Sequence, residues 1–203
     1  MSDLNVTEIQ IAKFALSRIG GATIESFDPV EDSTESVEVA LWYHHCRRET
    51  LEMADWGFAR KRLTLAEDTN APPDGVWAYR YQYPANAIIV REIENPAGRA
   101  APPVPFSVEL PITPEVKTIL TDTADAVAIY TSNIILPDLY TPSFVNAFSL
   151  TLASKLMHSV RGDDALKKGV ATEYAHMLNI ASSLNYKQGR DHAPREASWI
   201  EGR

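Results

Sequence analysis

Apolar residues recur at helical spacing in both flanks of the chain and alternate with polar ones in its middle, which predicts two helical regions around a β-rich centre. In Val6–Ile19 the residues Ile9, Ala12, Leu16 and Ile19 share a face. Asn5 stands at the cap position with Glu8 three residues on, and Gly20-Gly21 supplies the left-handed stop. A longer helix is predicted from about Ser33 to Asp55, capped by Asp32 or Ser33, with Glu35 and Glu38 near the positive end of its dipole. Val37, Leu41, His44 and Leu51 line one side of it and Val39, Tyr43, Cys46 and Met53 the next, an apolar surface wide enough for several packing neighbours. Thr141 followed by Pro142 opens a third helix, where Phe144, Phe148, Leu152 and Leu156 recur every four residues until Gly162. The last helix starts near Asp163, with Leu166, Val170, Tyr174, Met177, Ala181 and Leu184 as its stripe. Beyond Asn185 the chain is polar and aperiodic, an arm with no core of its own around an isolated Trp199-Ile200 pair.

Nine of the thirteen prolines fall between residues 72 and 114, so no long helix fits there. In Val76–Tyr83 the rings Trp77, Tyr79, Tyr81 and Tyr83 alternate with Val76, Ala78, Arg80 and Gln82, the period of a half-buried strand. Phe58–Leu65, Ala87–Ile93, Phe106–Leu110, Val116–Leu120 and Ala126–Thr131 are the other expected strands, with Thr121–Asp125 as a hairpin turn joining the last two. The expected fold class is therefore α+β. Residues 1–55 and 141–186 make an antiparallel bundle of about four helices, 56–140 a β-sandwich-like insertion, and 187–203 an extended C-terminal arm.

Charge narrows the classes of function. The chain has 203 residues and a formal net charge of −8, which excludes a protein that coats nucleic acid by neutralising phosphates. Cys46 is the only cysteine, so there is no internal disulfide framework and no all-cysteine zinc site. The opening Met1–Gly20 carries Asp3 and Glu8 in place of a basic start and apolar run, and no stretch nears the ~18 apolar residues of a membrane span; folding in a reducing cytoplasm is expected. Residues 1–55 hold eleven acids against four bases, with Glu25, Asp28, Glu31, Asp32, Glu35 and Glu38 in one run. That run either solvates and caps the helices or forms a surface that repels phosphate or docks basic partners. Arg47, Arg48, Arg60, Lys61 and Arg62 form two basic clusters, suited to bracing the helix-to-strand junction through Glu49 and Glu52 or to meeting an acidic neighbouring subunit.

Catalytic constellations are sparse. His44, His45 and Cys46 point about 100° apart on a helix and cannot converge on one ion. His45 with Glu49, four residues apart, and Glu52 a turn further have metal-ligand spacing, but His158, His176 and His192 are scattered. Cys46 occupies an apolar helix position, which favours inert burial over nucleophilic use. There is no GxSxG, HExxH or GxGxxG segment and no phosphate-cradling glycine loop. The aromatic row at Trp77–Tyr83 reads as a sheet face more than a base-stacking platform, with Arg80 its one basic companion. In the tail, Trp199 and Ile200 are flanked by Arg190, Arg195 and Arg203, an aromatic anchor on a basic arm of the kind that folds on binding. The final Ile200-Glu201-Gly202-Arg203 also spells a protease cleavage site.

Four stretches, in this order, carry a family resemblance: ALSRIGGATIESFDP (15–29), VALWYHHCRRETLEMADWGFARKRLTLA (39–66), YRYQYPANAIIVREI (79–93) and LYTPSFVNAFSLTLASKLMHSV with the helix after it (139–184). With the Trp56-Gly57-Phe58-Ala59 turn after a long helix, they resemble the tail tubular protein A and tail accessory factor group of short-tailed bacteriophages and related head-to-tail adaptors. The resemblance implies a helical bundle interrupted by a β domain, assembled as a ring of usually twelve copies below the portal. Such a ring extends the DNA channel, lets double-stranded DNA through without binding it specifically, and gives the tail or nozzle/tube protein a platform. It further implies a virion neck or tail protein assembled in the host cytoplasm, with no catalytic residue, metal, cofactor or membrane contact. On that reading Arg190, Arg195, Trp199, Ile200 and Arg203 reach along the portal, the acids of the 25–38 run face the channel, and the basic clusters meet the next subunit. The competing expectation is a small cell-wall hydrolase of a phage tail, working through His45 and Glu49.

Overall fold

A computed structural model describes residues 6–72, 75–98, 101–111 and 115–160, with Gly169 and Thr172 beyond them. The protein is mixed α+β, with three α-helices and two small antiparallel sheets among the described residues. They divide into two compact units, one taking residues up to Ala59 and from Asn133, the other Arg60–Ser132. The expected fourth helix from Asp163 and the arm at 187–203, with Arg190, Arg195, Trp199, Ile200 and Arg203, lie outside the described residues apart from Gly169 and Thr172.

In the helical unit, α1 (Glu8–Ile19) begins two residues later than its apolar pattern suggests. Thr7, not Asn5, is its cap: the Thr7 hydroxyl accepts from Gln10 N and the Gln10 side chain accepts from Thr7 N at 2.9 Å, so the capping box is Thr7/Gln10. Gly20 closes the helix at φ 65°, a conformation costly for a residue with a Cβ. In α2 (Thr34–Met53), Ser33 is the cap and its hydroxyl accepts from Ser36 N. Neither of its two apolar sides is wholly core: Val39, Tyr43 and Cys46 are buried on one but Met53 is exposed, and on the other Leu51 is buried while Val37 and Leu41 are exposed. α3 (Pro142–Val160) starts where Thr141 and Pro142 predict, with Phe144 N donating to Thr141 Oγ1. It packs against both α1 and α2, which touch each other less. A helix so placed must be apolar nearly all round, and Phe144, Val145, Phe148, Leu152, Leu156 and Met157 are all buried. Its buried polar residues are satisfied locally: Ser149 Oγ donates to Asn146 O and Thr151 Oγ1 to Ala147 O. Trp56 is pinned by its Nε1–H, which donates to Thr50 O at 2.7 Å, and its ring meets Phe144 edge-on at 5.1 Å.

Among the described residues the β unit has six strands: β1 (Arg60–Thr64), β2 (Tyr79–Gln82), β3 (Ala87–Ile93), β4 (Phe106–Glu109), β5 (Thr118–Thr121) and β6 (Val127–Ser132). One sheet is ordered β1-β6-β3 and the other β2-β5-β4. All six expected strands are present, but Thr121–Asp125 is not a hairpin turn. It carries the chain from β5 in one sheet to β6 in the other, with Asp125 at φ 48°. Both sheets feed one core: Tyr81 and Ile119 from one, Val90, Ile93, Ala128 and Tyr130 from the other, with Leu65 and Ala126. Tyr79 and Tyr83 pack against that core, so most of the aromatic row is a sheet face. Arg80 breaks the alternation. It is only 4% exposed, and its Nε lies 3.0 Å from Asp68 Oδ2.

Candidate functional site

The acidic run folds into the loop between α1 and α2 and the first turns of α2, and much of its charge holds that loop together. Glu31 Oε1 accepts from the backbone N–H groups of Glu25 (2.9 Å) and Ser26 (2.6 Å). Buried Ser36 accepts from Glu31 N and donates to Ser26 O, both bonds spanning the turn. Glu35 accepts from Ala22 N, and Glu25 pairs with Lys13 at 3.0 Å. Asp28 and Asp32 stay exposed at the tip, either side of the cis Asp28–Pro29 bond and of Val30, which is itself half-exposed. Glu38, on α2, is partly buried. The six acids thus separate into those that brace the loop and those that present charge to solvent. A sequence cannot make that division, because the partners of Glu31 and Glu35 are backbone amides and that of Glu25 is a lysine twelve residues away.

The basic residues separate too. Arg47 is buried, and its Nη1 donates to Ile134 O at 2.8 Å, so it braces the helical unit from within. Beside it the Tyr43 hydroxyl is held far above its ordinary range by burial, and Tyr140, which donates to Ile134 O, is raised by burial as well. Arg48 is exposed on α2, and Arg60, Lys61 and Arg62 are exposed along β1. Arg62 lies 3.8 Å from Glu94.

The residues considered for catalysis make a surface ion cluster. Glu49 Oε2 is 3.3 Å from Lys155 Nζ and 3.8 Å from His45 Nε2, and Lys155 also sits 6.0 Å from the Trp42 ring. His44 and His45 are exposed, and Glu52 is exposed a turn on. Cys46 is wholly buried, and burial first, then Glu49, pushes its thiol up to about 12, so it is no nucleophile near neutrality. Among the described residues no three His, Cys, Asp or Glu side chains gather as metal ligands. No helix among them is long and apolar enough to cross a membrane.

An open groove of about 490 Å³ lies in the helical unit, lined by Phe14 and Arg18 of α1, Val145 and Ser149 of α3, and Pro137, Asp138 and Tyr140. Sequence reasoning missed it, because it is formed by residues far apart in the chain. Arg18 donates to Asn146 Oδ1 inside it. Its two serines hydrogen-bond within their own helices, Ser17 Oγ donating to Phe14 O and Ser149 Oγ to Asn146 O, and Asp138 is its one acidic lining residue among the described residues. A second open cavity, about 530 Å³, lies in the β unit among Pro96, Pro102, Pro103, Pro105 and Asp122. It is lined by a rigid proline wall with few polar groups. No protein-family model matches the chain, and no curated protein matches it either.

Proposed function

We propose that this chain is a structural virion protein, a head-to-tail adaptor that joins portal to tail as a ring and extends the DNA channel. The observation that supports this most is the correspondence between the resembling stretches and the elements that build the molecule. The first is the end of α1 and the braced loop, the second α2 with the Trp56 turn and β1, the third β2 and β3, the fourth α3. A chain recognised by its packing and turns, with its His45–Glu49 pair tied to Lys155, works by shape.

In this reading the segment 163–184 adds a fourth helix to the bundle, its apolar stripe on one side, and the two sheets act as a β-sandwich facing the tail or nozzle/tube protein. The ring has twelve copies. Asp28 and Asp32, exposed at the loop tip with Glu25, line a channel wall that a polyanion passes without sticking. Arg190, Arg195, Trp199, Ile200 and Arg203 form the arm that reaches the portal, and Arg48, Arg60, Lys61 and Arg62 meet the neighbouring subunit. The experiment is to mix the purified chain with a portal protein from the same source and to image the mixture by negative-stain electron microscopy. Rings stacked on the portal are expected. A chain that stays monomeric with portal present overturns the proposal, as does a cell-wall zymogram whose clearing disappears on His45→Ala or Glu49→Gln.

A further inference from the structure

Four strands stand at the margins of the two sheets: β1 and β3 in one, β2 and β4 in the other. An unpaired margin is a template for another strand, and proteins blunt it by covering or bulging it. The β2 margin is covered by its own chain, since Gln82 N donates to Ala66 O and Asp68 N to Arg80 O. The β3 margin is broken by register shifts between Ala87 and Ile89 and between Val90 and Glu92. Among the described residues, β1 and β4 are left as margins in continuous register with one neighbour each. All five residues of β1 are exposed, and Val108, Glu109 and Leu110 are exposed at the end of β4.

The two margins are unlike. β1 reads Arg60-Lys61-Arg62-Leu63-Thr64, so two copies of it repel each other, while β4 carries Glu109 and no base. Backbone direction then fixes how they fit. Leu65 N donates inward to Ala126 O, so Leu63 and Lys61 face β6, and Arg62 and Thr64 face outward. On β5 the Lys117 carbonyl accepts from Tyr83 on the β2 side, so Thr118 and Leu120 turn toward β4, where their partners are Glu109 and Ser107. Phe106 and Val108 therefore face outward. Antiparallel pairing sets outward residues against outward residues. The full-overlap register that also sets an acid against a base places Lys61 opposite Glu109, Arg62 opposite Val108, and Thr64 opposite Phe106. In it Lys61 and Glu109 form a pair without backbone bonds, the kind whose side chains lie closest. Glu109 is already oriented, its Oε1 accepting from Ser107 Oγ at 2.9 Å.

We infer that β1 of one copy pairs with β4 of the next, continuing a sheet from subunit to subunit, with Lys61 against Glu109 at its centre. The two margins are different surfaces, so the contact is heterologous and repeats around a closed ring or along an open filament. It rests on the reading that copies of the chain tile, and it names the surface they use.

Lys61→Cys/Glu109→Cys tests the contact directly, because the buried Cys46 does not compete for oxidation. Mild oxidation of the double variant yields a disulfide ladder beyond the dimer on a non-reducing gel, whereas each single variant stops at the dimer. By native mass spectrometry, Lys61→Glu and Glu109→Lys each raise the concentration for half-assembly at least about tenfold, and the double reversal restores it. No ladder, with charge reversals that leave wild-type rings intact, overturns this contact and leaves the ring standing. An open-ended ladder with no closed species keeps the contact and overturns the ring. A wild-type chain that neither associates nor cross-links overturns both.

Discussion

Cys46 has no exposed surface, and its thiol is pushed up to about 12, chiefly by burial. At pH 8 that leaves about one side chain in ten thousand as thiolate. Native protein should therefore resist a thiol-disulfide reagent at pH 8 for hours and react with one equivalent in denaturant; immediate native reaction would show that α2 opens around residue 46. Its inert role was readable from sequence, because an apolar stripe of α2 runs through it. Asp68 was not readable. It pairs with Arg80, which the strand alternation assigns to solvent, and no local pattern announces an ion pair closed by a loop. The Asn70 backbone N–H, at 3.0 Å, is the largest influence holding the Asp68 carboxyl below 3.8; burial opposes it, and the Asn70 side chain and Arg80 add to it. A lowered folded value contributes stability above the unfolded pKa and loses it as pH falls through the folded one. Asp68→Asn, which strands a buried guanidinium, should cost about 3 kcal/mol at pH 6 by urea unfolding. The deficit should shrink toward pH 3, and an equal deficit at both values would remove the ion pair from the account.

Helices and strands were legible to the extent that their signals are local. α3 begins where Thr141-Pro142 predicts because cap and first-turn chemistry sit side by side in the chain. The start of α1 was ambiguous, since Asn5/Glu8 and Thr7/Gln10 both have capping spacing; the choice went to Thr7, whose carbonyl also accepts from Ile11 N. Periodicity found both apolar sides of α2 but could not say that Val37 and Leu41 lack a covering neighbour within the chain's described residues. Turn chemistry at Thr121–Asp125 gave a turn, yet a turn does not record which sheet receives the next strand. In the loop between α1 and α2 two backbone amides share one carboxylate, which invites a direct trial. Glu31→Ala leaves the Glu25 and Ser26 amides without their carboxylate and should cost about 2 kcal/mol. Hydrogen exchange at those two amides should quicken by at least about tenfold, while exchange in the middle of α3 follows only the global loss; unchanged amides would mean that another group holds the turn.

At the scale of the molecule, the β unit is inserted within the helical one, and its ends are neighbours. Arg60 pairs with Thr131 in the β1–β6 ladder, so the chain enters and leaves the unit on adjacent strands, about 5 Å apart. Replacing residues 60–132 by a short Gly-Ser linker then closes a gap that is already short and adds little loop entropy. Each unit has its own core, α1, α2 and α3 closing around Tyr43, Phe144 and Phe148 in one and both sheets around Tyr81, Ile119 and Ile93 in the other. The excised helical unit should keep a cooperative thermal transition and show a higher helical signal per residue by circular dichroism. Residues 60–132 alone should give a β spectrum and their own transition. The two pieces also divide the function: with β1 and β4 both on the excised segment, the helical piece should remain monomeric at concentrations where the whole chain associates. A helical piece that melts without cooperativity would show that the insertion is part of its core, and one that still forms rings would move the subunit contact off the sheets.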